Sequence, residues 1–229
     1  MGHMGTIYLV RHGQASFGED DYDRLSPLGH RQAQRLGEYL RQRFERDGVQ
    51  IDTVLMGSLT RHRQTWEGIA LGARWSHSPA VWQGLNEYDS QALIEAISPE
   101  PLPKPDSPEL YRQHFRLLKQ ALRAWMDGRI QPIGMGSYAA FVQDVASALE
   151  HVRQTSANHA LIVSSGGPIS SAVGQLLEAS PEAIIELNLH IRNTALTELT
   201  FTPKRHRLLS FNNVPHLDSD EHQSWITYA

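Results

Sequence analysis

Short apolar segments alternate with helical segments along the chain, and few folds accommodate that order. Residues 6–10, 53–56 and 160–164 are runs of apolar and β-branched residues, which is typical of strands buried on both faces. Each run precedes a segment with the apolar periodicity of an amphipathic helix. Strands that alternate with helices form a mostly parallel sheet covered on both faces. The sequence therefore predicts an α/β fold.

Capping residues indicate where several of these helices begin and end. Ser26 followed by Pro27 is typical of a helix start, and Gly48 is typical of a helix end. Ser58 is the expected cap of the next helix, which should end near Leu71. The other predicted elements are a short strand at 74–77, a helix after the glycines at 166–167, and two strands at 195–201 and 207–211 joined by a turn at 203–204.

A proline-rich stretch separates the first half of the chain from two further amphipathic helices. The prolines from residue 98 to residue 108 exclude helix and strand there and indicate an extended connection. We interpret residues 99–158 as a mainly helical insertion that lies over one edge of the core. Residues 4–229 are expected to form one domain, and residues 1–3 are expected to be a cloning remnant.

Composition and charge exclude several kinds of function. The chain has no cysteine, so disulfides, thiolate nucleophiles and cysteine-ligated metals are ruled out. No apolar run approaches the roughly 18 residues of a membrane helix. The net charge of −4 argues against nucleic-acid binding through bulk charge, and no His-x-His or His-Glu-x-x-His pair indicates a metal site. We expect a cytoplasmic protein without metal, nucleic acid or membrane partner. The oligomeric state stays open, with a homodimer as one candidate.

Residues suited to anion chemistry follow the predicted strands, at the edge where α/β sheets bind ligands. They are Arg11, His12, Gly13, Arg61, Ser165 and Gly166. Guanidinium groups and helix N–H groups bind phosphoryl oxygens, and a neutral imidazole can attack phosphorus. Glu87, in a loop after a predicted strand, is the best available carboxylate to protonate a leaving oxygen. This combination is typical of phosphoryl transfer.

Four segments in chain order resemble the histidine phosphatase superfamily, whose best-known branch is the phosphoglycerate mutases. They are Leu9-Val10-Arg11-His12-Gly13-Gln14, residues 25–33, residues 58–65 and Leu85-Asn86-Glu87. The resemblance implies a three-layer α/β/α sandwich that needs no cofactor. It implies that His12 becomes phosphohistidine, that Arg11 and Arg61 hold the phosphoryl group, and that Glu87 protonates the leaving alcohol. We expect the substrate to contact Arg11, Gly13, Gln14, Ser16, Arg61, Ser165 and Gly166.

One position departs from the family pattern. The family usually has a second histidine before the paired glycines, and Ser165 stands there in this chain. A hydroxyl donates a weaker hydrogen bond than a charged group, and the difference predicts a rate roughly 5- to 30-fold lower. Ser165 should also cap the following helix, whereas His62 and Arg63 are expected on a solvent-facing surface. The resulting hypothesis is a slow or substrate-restricted phosphomonoester hydrolase that acts on a small phosphorylated metabolite or a phosphoprotein.

Other functions remain open from the sequence. The main alternative is an inactive pseudophosphatase that binds phosphate, because Ser165 replaces the usual histidine. A phosphoglycerate mutase is less favoured, because the loop after His12 lacks an expected asparagine and carries Glu19, Asp20 and Asp21, which would repel an anionic substrate. A protein that only makes interactions, through the proline-rich stretch and the helical insertion, is the weakest candidate.

Overall fold

Residues 5–16, 23–98, 107–156 and 158–228 are described in a computed structural model, and they form one six-stranded sheet with α-helices. The strands are β1 (Gly5–Arg11), β2 (Thr53–Met56), β3 (Ala80–Val81), β4 (His159–Ser164), β5 (Leu196–Thr202) and β6 (Arg205–Asn213). The helices are α1 (Pro27–Asp47), α2 (Thr60–Ala73), α3 (Ser90–Glu95), α4 (Pro108–Met126), α5 (Tyr138–Thr155), α6 (Gly166–Leu176) and α7 (Pro181–His190). The predicted α/β fold is confirmed.

The sheet is parallel over most of its width. Its strand order is β3-β2-β4-β1-β5-β6. The first four strands are parallel to one another, β5 is antiparallel to β1, and β6 is antiparallel to β5. Arg11 pairs with Ser164 across β1 and β4, and Met56 of β2 pairs with Val163 of β4. The carboxyl ends of these three strands therefore lie at the same edge of the sheet.

Alternating side chains of the central strands divide the core into two halves. Ile7 and Leu9 of β1 pack with residues of α5 and α6, whereas Tyr8 and Val10 pack with residues of α1 and α2. Successive side chains of a strand point to opposite faces of a sheet, so one strand contributes to both halves. The molecule thus has the predicted three layers, with helices on both faces of the sheet.

The two helices of the predicted insertion have different neighbours. Residues of α5, among them Val145 and Val152, are buried in the same cluster as the sheet. In contrast, α4 packs through Leu122 and Trp125 with α3 and α7 in a separate cluster. The limits of the insertion, 99–158, stay a prediction, and the proline-rich residues 99–106 lie outside the described residues, as do residues 1–3.

The predicted ends of α1 agree with the structure. The Ser26 side chain accepts a hydrogen bond from the Gly29 N–H, Pro27 is the first helical residue, and Gly48 ends the helix with a left-handed backbone at φ 65°. Glycine adopts that conformation without the steric cost that other residues meet. The caps of α1 are local signals, and they were sufficient to place the helix.

Two local predictions around α2 were wrong. Residues 74–77 form no strand, because the Arg74 and Trp75 N–H groups bond to carbonyls in the last turn of α2, and the short strand lies at Ala80–Val81 instead. Ser58 does not cap α2. Leu59 occupies the cap position, and Ser58 is instead hydrogen-bonded to the side chain of Asn86.

None of the helices in the described ranges has the length and apolar character to cross a bilayer.

Candidate active site

Backbone hydrogen bonds bring the ends of β1, β2 and β4 together. The His12 N–H, just beyond β1, donates to the Ser164 carbonyl of β4 at 2.9 Å. The Gly57 N–H, just beyond β2, donates to the Val163 carbonyl of β4 at 3.1 Å. The side chains that follow these strands therefore gather at one edge, as the sequence predicted.

His12 is the buried centre of this cluster. Its side chain is 4% exposed, and Nδ1 lies 2.7 Å from the carbonyl oxygen of Gly13. A carbonyl oxygen only accepts hydrogen bonds, so Nδ1 carries the ring proton and the lone pair is on Nε2. Burial lowers the pKa of His12 well below 6.5, and the charges of Arg11 and Arg61 lower it further. The ring is therefore neutral and nucleophilic near pH 7.

Arg61 is held by a carboxylate that the sequence analysis did not identify. Its NH1 atom lies 2.8 Å from Oδ1 of Asp23, and Oδ2 of Asp23 accepts the Thr60 N–H at 2.8 Å. Asp23 thus orients the guanidinium and satisfies a free N–H at the start of α2. No local sequence pattern relates these residues, because Asp23 lies 38 positions before Arg61.

Arg11 is held by two distant backbone segments. Its NH1 atom donates to the carbonyl oxygens of Ile191, after α7, and of Tyr228. The segment around Tyr228 is itself attached to α1, because Nε2 of Gln32 donates to the Trp225 carbonyl at 2.6 Å and to the Thr227 hydroxyl at 2.9 Å. These contacts fix the Arg11 guanidinium, whose charge acts on His12.

Glu87 belongs to the loop before α3, and its carboxylate lies at the start of α6. Both of its carboxylate oxygens are 3.1 Å from the Gly167 N–H, and a Cβ at position 167 would come within 2.1 Å of Oε1. Burial raises the pKa of Glu87, although the hydrogen bond from Gly167 and the charges of Arg61 and Arg11 act in the opposite direction. A carboxyl with a raised pKa keeps its proton nearer neutral pH, as a general acid requires.

The loop residues after His12 make contacts other than those predicted. The Gly13 N–H donates to the Thr65 hydroxyl at 3.0 Å, and a Cβ there would come within 2.6 Å of the Gly29 carbonyl. Glycine at position 13 therefore allows the chain after β1 to approach α1 closely. The contact of Gly13 with substrate stays a prediction.

Gln14 and Ser16 extend from the same loop. Oε1 of Gln14 accepts from the Ser26 hydroxyl at 2.7 Å, and the Ser16 N–H donates to the Arg24 carbonyl at 2.8 Å. Their contacts with substrate stay predictions, and so does that of Gly166, the first residue of α6. The acidic residues 19–21 lie outside the described residues.

Ser165 and His62 form a pair that the sequence analysis missed. Ser165 occupies the cap position of α6 but makes no side-chain cap bond, because its Oγ is 2.7 Å from Nε2 of His62. His62 is 0% exposed, so its predicted solvent-facing position was wrong, whereas Arg63 is exposed. The signal was available, because His62, Trp66, Ile69 and Ala73 form a helical stripe that α2 turns inward.

The arrangement is suited to phosphoryl transfer. The charges of Arg11 and Arg61 act both on the neutral imidazole of His12 and on the Glu87 carboxyl, whose pKa is raised. Two guanidinium groups can stabilise the charge on phosphoryl oxygens, while the imidazole attacks phosphorus and the carboxyl supplies a proton.

Solved structures with the same fold include phosphatases and a mutase. Phosphoglycerate mutase from Bacillus anthracis is 15% identical, with a TM-score of 0.65, and the match covers 94% of this chain and 96% of that one. A mutant phosphoserine phosphatase from Entamoeba histolytica, in complex with phosphoserine, is 21% identical, with a TM-score of 0.63 and coverage of 93% and 99%. Alpha-ribazole phosphatase from Shigella flexneri is 18% identical, with a TM-score of 0.61 and coverage of 91% and 96%.

These identities establish similarity of fold alone, and no curated protein matches the sequence significantly. The family model described as histidine phosphatase superfamily (branch 1) matches residues 7–214, which include every site residue named above except Tyr228 and the neighbouring residues that attach it. With this match and the geometry around His12, the chain belongs to branch 1 of the histidine phosphatase superfamily.

Proposed function

We propose that the protein is a phosphomonoester hydrolase that forms a phosphohistidine on Nε2 of His12. The observation that carries this proposal is the hydrogen bond between Nδ1 of His12 and the Gly13 carbonyl, which leaves Nε2 without a proton. The charges of Arg11 and Arg61 act on the same ring, so an anionic phosphoryl group is attracted to the unprotonated nitrogen.

The reaction proceeds in two displacements. Nε2 of His12 attacks phosphorus, the bond from phosphorus to the ester oxygen breaks, and Glu87 gives its proton to the departing oxygen. In the second displacement the Glu87 carboxylate removes a proton from water, and the resulting hydroxide attacks phosphorus. The P–N bond breaks, phosphate leaves, and His12 and Glu87 return to their starting protonation states.

The proposed substrate class is a small phosphorylated metabolite or a phosphoprotein, with inorganic phosphate as product ligand. Two of the structurally similar proteins are named as phosphatases, of phosphoserine and of alpha-ribazole, and this supports hydrolysis over transfer between substrate positions. A phosphoglycerate mutase remains the less favoured reaction, because the loop after His12 carries three consecutive acidic residues.

Hydrolysis of p-nitrophenyl phosphate tests the proposal. Wild type should release p-nitrophenol, and His12→Ala should reduce the rate by about 10³-fold or more, as expected when a nucleophile is removed. His190→Ala is the matched control, because His190 is an exposed histidine at the end of α7. Wild type should also accumulate an acid-labile phosphoenzyme that His12→Ala lacks.

Two results would contradict hydrolysis. A wild-type rate no higher than that of His12→Ala removes the enzymatic function. If such a protein still binds inorganic phosphate, and if the affinity depends on Arg11 and Arg61, the protein is an inactive pseudophosphatase, the alternative that the Ser165 position indicates.

A further inference from the structure

The buried pair of His62 and Ser165 has no part in the two displacements described above. His62 comes from the first turn of α2 and Ser165 from the junction of β4 and α6, and Nε2 and Oγ are 2.7 Å apart. The centroid of the His62 ring is 5.8 Å from that of His12. The His12 N–H also donates to the carbonyl of Ser164, the residue before Ser165, so the pair belongs to the cluster around His12.

We propose that Ser165 donates a hydrogen bond to the phosphoryl group on His12, and that His62 is the positioning residue that directs this hydroxyl. The proposal rests on the proposed function, because it assigns a role at the same phosphoryl site. Ser165 would contact the substrate, whereas His62 would act through Ser165.

The surroundings of His62 are shaped to hold the ring in place. A Cβ at position 57 would come within 2.1 Å of Nδ1 of His62, so only glycine leaves space for the ring. Gly57 is in turn fixed by its hydrogen bond to the Val163 carbonyl. The ring is thus confined between the ends of β2 and β4, with Nε2 directed at Ser165.

Hydrogen-bond chemistry explains why such a pair suits an anion. A hydroxyl has one proton to donate, and phosphoryl oxygens only accept. When Nε2 of His62 carries a proton, it donates to Oγ, and the Ser165 proton is then directed to another acceptor. A neutral imidazole supplies this proton only as the Nε2–H tautomer, which is the tautomer that the proposal requires. Burial together with Arg61 lowers the pKa of His62 to about 3, which keeps the ring neutral near pH 7.

The pair also predicts how position 165 responds to a larger side chain. Because Oγ already lies 2.7 Å from Nε2, an imidazole at position 165 would compete with the His62 ring for the same space. Ser165→His alone should therefore lower activity. Removing the helix imidazole in the double variant His62→Ala/Ser165→His should restore part of that loss.

A double-mutant cycle measures the pair directly. Ser165→Ala and His62→Ala should each lower kcat for p-nitrophenyl phosphate by about 10- to 100-fold, as expected for one hydrogen bond to a charged group. The double variant His62→Ala/Ser165→Ala should be no slower than the slower single variant, because both changes remove the same interaction. His62→Gln, which keeps an amide N–H, should retain more activity than His62→Ala. Arg63→Ala is the control, since Arg63 is an exposed neighbour on α2.

The outcomes separate a positioning role from a purely structural one. Additive losses in the cycle, or no recovery in His62→Ala/Ser165→His, overturn the proposal, and melting temperatures identify variants that fail to fold. If His62→Ala does not fold, His62→Leu, which fills more of the space without a polar group, replaces it in the cycle. If wild type does not hydrolyse the ester, the proposed function fails. The orthovanadate affinities of wild type, the two single variants and the double variant are then compared. Non-additive losses of affinity support the proposed pair, and additive losses overturn it.

Discussion

Acidification should destabilise the fold through two buried imidazoles. His62 lies in the active-site cluster, and His216 lies apart from it, with Nε2 2.9 Å from the Thr194 hydroxyl. Burial is the largest cause that lowers the pKa of each ring from 6.5 to about 3. In the unfolded chain both rings titrate near pH 6.5. Between about pH 3 and pH 6.5 the unfolded state therefore binds protons that the folded state does not.

The sign and size of the effect follow from this difference. The stabilising contribution is complete above about pH 6.5 and is lost as the pH falls, at a limit of about 1.4 kcal/mol per pH unit for each ring. Between about pH 7 and pH 5 each ring should therefore lower the free energy of unfolding by about 2 kcal/mol. The two rings together account for about 4 kcal/mol, a large part of the stability of a typical domain.

Urea unfolding at both pH values measures this contribution. His216→Gln can keep a hydrogen bond to Thr194 but cannot titrate, so its free energy of unfolding should fall by about 2 kcal/mol less than that of wild type. His190→Gln serves as the control, because that side chain is exposed at the end of α7. An equal pH dependence in wild type and His216→Gln would refute the reasoning for this ring.

Further predictions concern the site. Glu87→Gln should slow esters with poor leaving groups by about 10²-fold or more and good ones much less; a flat leaving-group dependence would contradict this. As the pH rises through the pKa of Glu87, which burial raises, kcat/KM of wild type should fall. On the acid side, kcat/KM should persist well below pH 6.5, since His12 stays neutral there. Gly167→Ala should displace the Glu87 carboxylate and lower kcat with little change in phosphate affinity, which a phosphate titration checks. Asp23→Ala should release Arg61 and change KM for p-nitrophenyl phosphate by about 3- to 10-fold.

Local signals predicted the parts of the fold that depend on neighbouring residues. The apolar run of β1 and the Ser26 and Gly48 caps of α1 were placed correctly, because each depends on residues within one or two turns. The segment at 74–77 was misassigned, because its residues complete the last turn of α2. A strand-like composition does not show that the backbone groups are already bonded elsewhere.

In the candidate site, too, local sequence predicted some residues and missed the long-range contacts between them. His12, Arg61 and Glu87 could be predicted from their places after strands and at a helix start. The contacts that orient them could not, since Asp23 reaches Arg61 across 38 positions and His62 reaches Ser165 across 103. His62 and Ser165 meet because β2 and β4, which precede them, are neighbours in the sheet.

The attachment of Arg11 to the Tyr228 carbonyl joins residues 217 positions apart, and this has a consequence for folding. β1 also pairs with β4 and β5, which follow it far along the chain. Contacts of such long sequence separation form slowly. The Arg11 guanidinium should therefore reach its place near His12 late in folding, after these distant segments of the chain have met.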